Sequence, residues 1–217
     1  MKSLPVPMPS LINSRFHLAL GVTTLLLSSG CMNTDKTPAE TKALVTVIPG
    51  SWSEGKTESR TYPLSIGSNG LGFIQCPTNT VMIGRQHAGD ENGSTKHLCA
   101  SLVQNGKPVE VTPPAGDSFT GKIEVESANH RYECPHPTIM TGRGHYHDEN
   151  GPTWYMCGIA KGGAFDDDEL EPANRVWTGD IKESGSDYTC PTGQVMTGRG
   201  HRGDENGWTI YQCATLY

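Results

Sequence analysis

The sequence predicts an all-β protein of three pseudo-symmetric, disulfide-stapled repeats, packed in closed form as in a β-trefoil or a β-prism, with a linear three-unit array as the alternative. Three observations predict it. A polar motif occurs three times, each occurrence is bounded by cysteines 23 residues apart, and helical periodicity is absent within it.

The first occurrence reads Cys76-Pro77, Val81-Met82, Gly84-Arg85, His87, Asp90-Glu91-Asn92-Gly93, Thr95 and Cys99. The second reads Cys134-Pro135, Ile139-Met140, Gly142-Arg143, His145, Asp148-Glu149-Asn150-Gly151, Thr153 and Cys157. The third reads Cys190-Pro191, Val195-Met196, Gly198-Arg199, His201, Asp204-Glu205-Asn206-Gly207, Thr209 and Cys213. No gap is needed inside the motif. An aromatic residue, Trp52, Phe119 or Trp177, opens a short segment upstream of each copy, and it stands 24, 15 and 13 residues before the first cysteine. Copy one therefore carries an insertion, placed around Ser65 to Gly72. The repeats are expected at about 51–103, 118–160 and 176–217 within a β domain spanning 51–217, joined by polar loops at 104–117 and 161–174.

Gly and Pro recur every few residues of the motif, and both are unfavourable in helix interiors. Runs such as Gln194–Gly198 and Trp208–Gln212 have strand composition. Asn-Gly between such runs suits a type I′ turn, whose two central residues need positive φ. Each copy therefore reads as a hairpin turning at Asn92-Gly93, Asn150-Gly151 or Asn206-Gly207. Of the 15 pairings open to six cysteines, only a within-copy set repeats one local contact three times. That set is Cys76–Cys99, Cys134–Cys157 and Cys190–Cys213, each bond contributing about 3 kcal/mol in the chain-entropy model. Such staples compensate for a hydrophobic content of only 35%.

The first thirty residues read as a secretory signal, with Lys2 and Arg15 ahead of an apolar stretch from Phe16 to Leu27. That stretch is short for a membrane span. It ends in Leu27-Ser28-Ser29-Gly30-Cys31, which resembles the lipobox of bacterial lipoproteins, with Leu one place further from the cysteine than is usual. The resemblance implies lipidation at Cys31 and, with Met32 following, an outer-membrane location, lipid-anchored on its periplasmic or cell-surface side. Residues 31–50 then form the lipidated N-terminus and tether. An even set of six further cysteines fits an oxidising compartment. The net charge of −6 gives no electrostatic footprint for nucleic acid.

Each copy gathers Arg, His, Asp, Glu and Asn within eight residues. Arg85 and His87, Arg143 and His145, and Arg199 and His201 are each two apart, which puts both side chains on one face of a strand. One use is structural: arginine–carboxylate pairing, Asx-turns and cross-hairpin hydrogen bonds. The other is glycan binding, by Arg85, His87, Asp90, Glu91, Asn92 and their counterparts Arg143, His145, Asp148, Glu149, Asn150, Arg199, His201, Asp204, Glu205 and Asn206. Trp208, beside the third turn, is the aromatic best placed for exposure, whereas Tyr155 and Tyr211 read as core. Asp, Glu and Asn are hard oxygen donors for calcium, but the D-x-D-x-D-G spacing is missing, so no metal ligand and no cofactor is assigned. No nucleophile recurs beside the histidine, and three equal copies of one catalytic site are unexpected in a domain, so the chain is not expected to be an enzyme.

The Cys-bounded segments resemble those of the dermatopontin family of extracellular matrix proteins and related invertebrate lectins. Copy three carries this through Cys190-Pro191-Thr192-Gly193-Gln194-Val195 and Tyr211-Gln212-Cys213, although Asp-Glu-Asn-Gly replaces the family's acidic-Arg-Trp segment. The resemblance implies matrix or glycan adhesion. The expectation is an exported lipoprotein that meets the membrane only through its lipid and binds a glycan or other extracellular polymer at three related hairpin sites. The competing expectation is a periplasmic protein-binding inhibitor or immunity factor, with recognition carried by the connectors.

Overall fold

The computed structural model describes residues 44–55, 72–89, 93–112, 120–145, 150–162, 168–204 and 206–217. The signal, Cys31, the insertion at 65–71, Phe119, Asp90, Glu91, Asn92, Asp148, Glu149 and Glu205 lie outside the described residues.

Copy one contributes β1 (Thr46–Gly55), β2 (Gly72–Gln75), β3 (Thr80–Ala88), β4 (Ser94–Gln104) and β5 (Lys107–Pro108). Copy two contributes β6 (Glu110–Thr112), β7 (Gly121–Ile123), β8 (His130–Glu133), β9 (Ile139–His145), β10 (Thr153–Gly162) and β11 (Asp168–Glu169). Copy three contributes β12 (Pro172–Trp177), β13 (Ile181–Lys182), β14 (Asp187–Thr189), β15 (Gln194–Arg202) and β16 (Trp208–Leu216), with a 3-10 turn at Glu183–Gly185. No α-helix occurs among the described residues, and none of their helices is long and apolar enough to cross a membrane. The protein is all-β with three pseudo-symmetric repeats. The bonds Cys76–Cys99, Cys134–Cys157 and Cys190–Cys213 each staple one copy.

The sheets are not confined to single copies. Each is centred on one hairpin, β3–β4, β9–β10 or β15–β16, and each accepts the strand before the first cysteine of another copy. β2 of copy one pairs with β9 of copy two, β8 of copy two with β15 of copy three, and β14 of copy three with β3 of copy one. The donation runs around a closed ring, which excludes a linear array.

A β-bulge at the same place in every hairpin receives the donated strand. The extra residue is Ile83, Thr141 or Thr197. Its carbonyl accepts the backbone N–H of Cys190, Cys76 or Cys134 respectively, at 2.8 Å in all three cases. The glycine after each bulge leaves room for the visiting backbone. A Cβ at Gly142 would stand 2.6 Å from the Ile74 carbonyl oxygen, and one at Gly198 would stand 2.7 Å from that of Tyr132. The motif's glycine and its cysteine are thus two halves of one inter-copy joint.

Some expected boundaries change. β1 opens at Thr46 rather than 51, and Val45 is already buried with its N–H 3.4 Å from the Leu216 carbonyl oxygen. The supposed connectors hold β5, β6, β11 and the start of β12. The reason is register: β6 and β12 pair along β10 and β16 as β1 pairs along β4. The turn chemistry differs too. In copy three Gly207 has no positive φ, whereas Gly203 does (82°), as do both Asn105 and Gly106 between β4 and β5. In copy three, Asp204 Oδ1 accepts the Asn206 N–H at 2.9 Å in an Asx-turn.

Candidate functional site

β3, β9 and β15 face one another across the pseudo-axis, so their inward residues form layers. Val81, Ile139 and Val195 are fully buried in one apolar cluster that also holds Leu102, Ala160, Leu216 and Val45. Four positions further along each strand come Arg85, Arg143 and Arg199, at most 2% exposed, and then His87, His145 and His201, at most 6%. The Arg-x-His spacing does put both side chains on one face. That face is the interior, and the three clusters converge on the axis.

Two carboxylates that the motif does not contain hold the arginines. Glu126 Oε1 accepts from Arg199 at 2.6 Å and contacts Arg143, while its Oε2 lies 2.5 Å from His145 Nδ1. Glu183 Oε1 lies 2.7 Å from Arg85 and 3.2 Å from Arg199, and its Oε2 lies 3.8 Å from His201. Each acid bridges the arginine of its own copy to that of the next, continuing the direction of strand donation. Burial would push both carboxyls up, but the facing cations outweigh it. Arg143, His145 and Arg199 hold Glu126 well below the usual carboxylate range, and Arg85, Arg199 and His201 bring Glu183 to about 2.

Two histidines nearby, His130 and His201, are neutral at pH 7. Burial, reinforced by the Arg199 charge, lowers both His130 and His201 to about 4. His130 Nδ1 lies 2.9 Å from the Glu126 carbonyl oxygen, which only accepts, so Nδ1 carries the proton. Its Nε2 then accepts from the Tyr155 hydroxyl at 2.8 Å, and that hydroxyl in turn receives Arg199 at 3.4 Å. Tyr155 stacks on Tyr132 and Tyr211 on Tyr188, with ring centroids 4.5 and 4.9 Å apart. Copy one replaces these pairs with Ile74 and His97. Thr153 and Thr209 hydroxyls donate to the Gly144 and Gly200 carbonyls across their hairpins. These groups tie the copies together around the axis, and His130 and His201 also border a depression at the surface.

The sequence reading missed Glu126 and Glu183 because they lie eight residues before Cys134 and seven before Cys190, outside the gap-free motif. The signal available was three repeated arginines in a poorly hydrophobic core, each of which needs a counter-charge.

Solvent-facing groups occur at the hairpin ends. Asp204, Asn206 and Asn150 are exposed. Trp208 is 42% exposed, and in register it stands between Lys182 of β13 and Arg202 of β15. Arg202 is paired with Asp180 at 2.6 Å. With Asn129 and Arg131 they line a shallow depression of about 80 Å³, whose floor is His130 and His201. The opposite pole carries both the start of β1 and the end of β16. Among the described residues no three His, Cys, Asp or Glu gather in a metal-holding arrangement. No protein-family model matches the chain, and neither a curated protein nor a solved structure matches it.

Proposed function

We propose that the chain is an exported lipoprotein, anchored through Cys31, whose three-repeat body binds a glycan or other extracellular polymer at its hairpin-turn pole. The observation that carries this reading is Trp208, a large aromatic left 42% exposed at a hairpin end, flanked by charged and amide side chains. An exposed indole covers the apolar face of a sugar ring, and the polar groups around it match the ring's hydroxyls. The polarity of the body supports the same reading. β1 begins and β16 ends at the pole opposite the turns, so neither strand terminus crowds the exposed indole. The buried ionic axis and the disulfides supply a rigid platform for such a site.

The test is retention of the purified protein on a panel of immobilised polysaccharides and on isolated bacterial cell envelope. Binding that a soluble form of the same polysaccharide competes away supports the proposal. Retention by an envelope protein alone, insensitive to every polysaccharide, overturns it in favour of the inhibitor class.

A further inference from the structure

Near its turn, the outer face of the copy-three sheet is built from two rows of residues in register. Lys182 of β13, Trp208 of β16 and Arg202 of β15 form the row beside the turn. Ile210 of β16, Gly200 of β15 and Arg131 of β8, the strand lent by copy two, form the next. Residues two apart on a strand share a face, so both rows look outward together. A Cβ at Gly200 would stand 2.8 Å from both the His130 carbonyl oxygen and Ile210 Cγ1, so only glycine fits between Arg131 and Ile210. The indole of Trp208, 42% exposed, therefore has a lysine on one side and an arginine on the other, with a second arginine one row away.

We infer that the ligand of this groove is an acidic sugar, a pyranose that lies on Trp208 and turns a carboxylate or sulfate at its edge toward the flanking cations. The inference rests on the glycan-binding reading above and gives it a substrate class. Charge decides it. Arg131, Lys182 and Arg202 are all exposed, and the one acid set among them is Asp180, 2.6 Å from Arg202, which leaves two positive charges over. Arg131 lies over the Trp177 ring, 5.4 Å from its centroid, a contact that leaves its charge uncompensated. Other described acids on these segments are engaged elsewhere. Glu133 lies 3.9 Å from Arg175, Asp204 Oδ1 accepts the Asn206 N–H, and Glu183 is buried against Arg85 and Arg199. The chain as a whole carries −6, so this cationic rim is a local exception. A general polyanion binder spreads positive charge over its surface, whereas two cations in excess beside an indole suit one anionic group at short range. Guanidinium N–H groups pair with the oxygens of such an anion, while the indole covers the apolar face of the sugar that bears it. About 80 Å³ is far below the roughly 300 Å³ and more of a pocket that encloses a small molecule, so the sugar sits on the surface and is held by one face.

The test is isothermal titration of the full chain with tetragalacturonate and neocarratetraose sulfate, the carboxylate and sulfate arms, and with cellotetraose and chitotetraose as the neutral arms. The expected result is that at least one acidic tetrasaccharide binds about tenfold or more tighter than either neutral one, and that its binding weakens as salt rises. Trp208→Ala weakens it about tenfold and Arg131→Gln and Lys182→Gln about threefold or more each, whereas Asp180→Asn tightens it by removing the opposing charge. Neutral tetrasaccharides that bind as tightly as the acidic ones, or acidic binding unchanged in Arg131→Gln or in Trp208→Ala, overturns the acidic class while leaving polymer binding standing. Retention confined to neutral polysaccharides does the same. Failure of every saccharide to bind, alongside negative polysaccharide retention, removes both.

Discussion

Positions 85, 143 and 199 on the axis are all arginine, and 87, 145 and 201 are all histidine. At the rim, the equivalents 94, 152 and 208 are serine, proline and tryptophan, and 88 and 202 are alanine and arginine. The two regions lie a few residues apart on the same hairpins, so their different behaviour is not a matter of local structure. Residues that face the axis meet their own counterparts from the other copies, and a change in one must be met by the other two. Residues at the rim meet solvent and are free to diverge. Along these strands, repetition therefore marks what holds the ring together and departure from it marks where recognition is to be sought, although the exposed Asn150 and Asn206 of the turns repeat as well.

The largest expected effect lies on the axis. Glu126→Gln keeps the shape but removes the carboxylate that faces Arg143, Arg199 and His145, and it leaves buried charge uncompensated. A loss of about 3–5 kcal/mol in urea unfolding is expected. A loss below 1 kcal/mol would mean that the cluster contributes little to holding the ring. Next comes the double substitution Cys134→Ser, Cys157→Ser. It opens one covalent loop and lowers stability by about 3 kcal/mol, with intact mass confirming that the other two bonds remain.

Acid should act on the same region. His130 and His201 titrate at about 4 in the folded state against about 6.5 when unfolded, so between those values the unfolded chain binds more protons and stability falls as pH falls. Below about 4.3 the unfolded Glu126 and Glu183 also protonate ahead of their folded forms, which extends the decline down to about pH 2. Loss of stability on the order of 2–3 kcal/mol from pH 7 to 4.5 is expected in a pH series of denaturation curves, after discounting for the partial solvent access of both histidines. A flat profile over that window would contradict a neutral His130 and His201.

At the joint between copies, Gly198→Ala places a Cβ 2.7 Å from the Tyr132 carbonyl oxygen. The backbone of β8 must shift, at about 1–3 kcal/mol. The smallest effect belongs to the rim. Trp208→Ala should change stability by no more than about 0.5 kcal/mol, since the side chain is largely outside the core, while it abolishes most saccharide binding. A large stability loss there would erase the distinction between axis and rim.

Much of this was legible in the sequence. Three gap-free motifs with cysteines 23 apart specify the copies, their staples and the face shared by Arg199 and His201, because disulfide geometry and strand pleat are local constraints. Trp208 as an exposed aromatic and Tyr155 and Tyr211 as core residues were legible for the same reason. The turn type was not. Asn206-Gly207 has the I′ signature, but the loop from Gly203 is longer than two residues, and Asp204 organises it.

The chain by itself determined that there are three copies, that each is a stapled hairpin, and that each carries an inward arginine and histidine. Only the tertiary structure decided that the copies exchange strands in a ring, that Glu126 and Glu183 serve arginines of two copies at once, and that the rim of copy three is completed by copy two. These are contacts between distant segments, such as Arg85 and Tyr211, 126 residues apart. Which repeat lends its strand to which follows from closing the ring around a charged axis, and no spacing within one repeat encodes it.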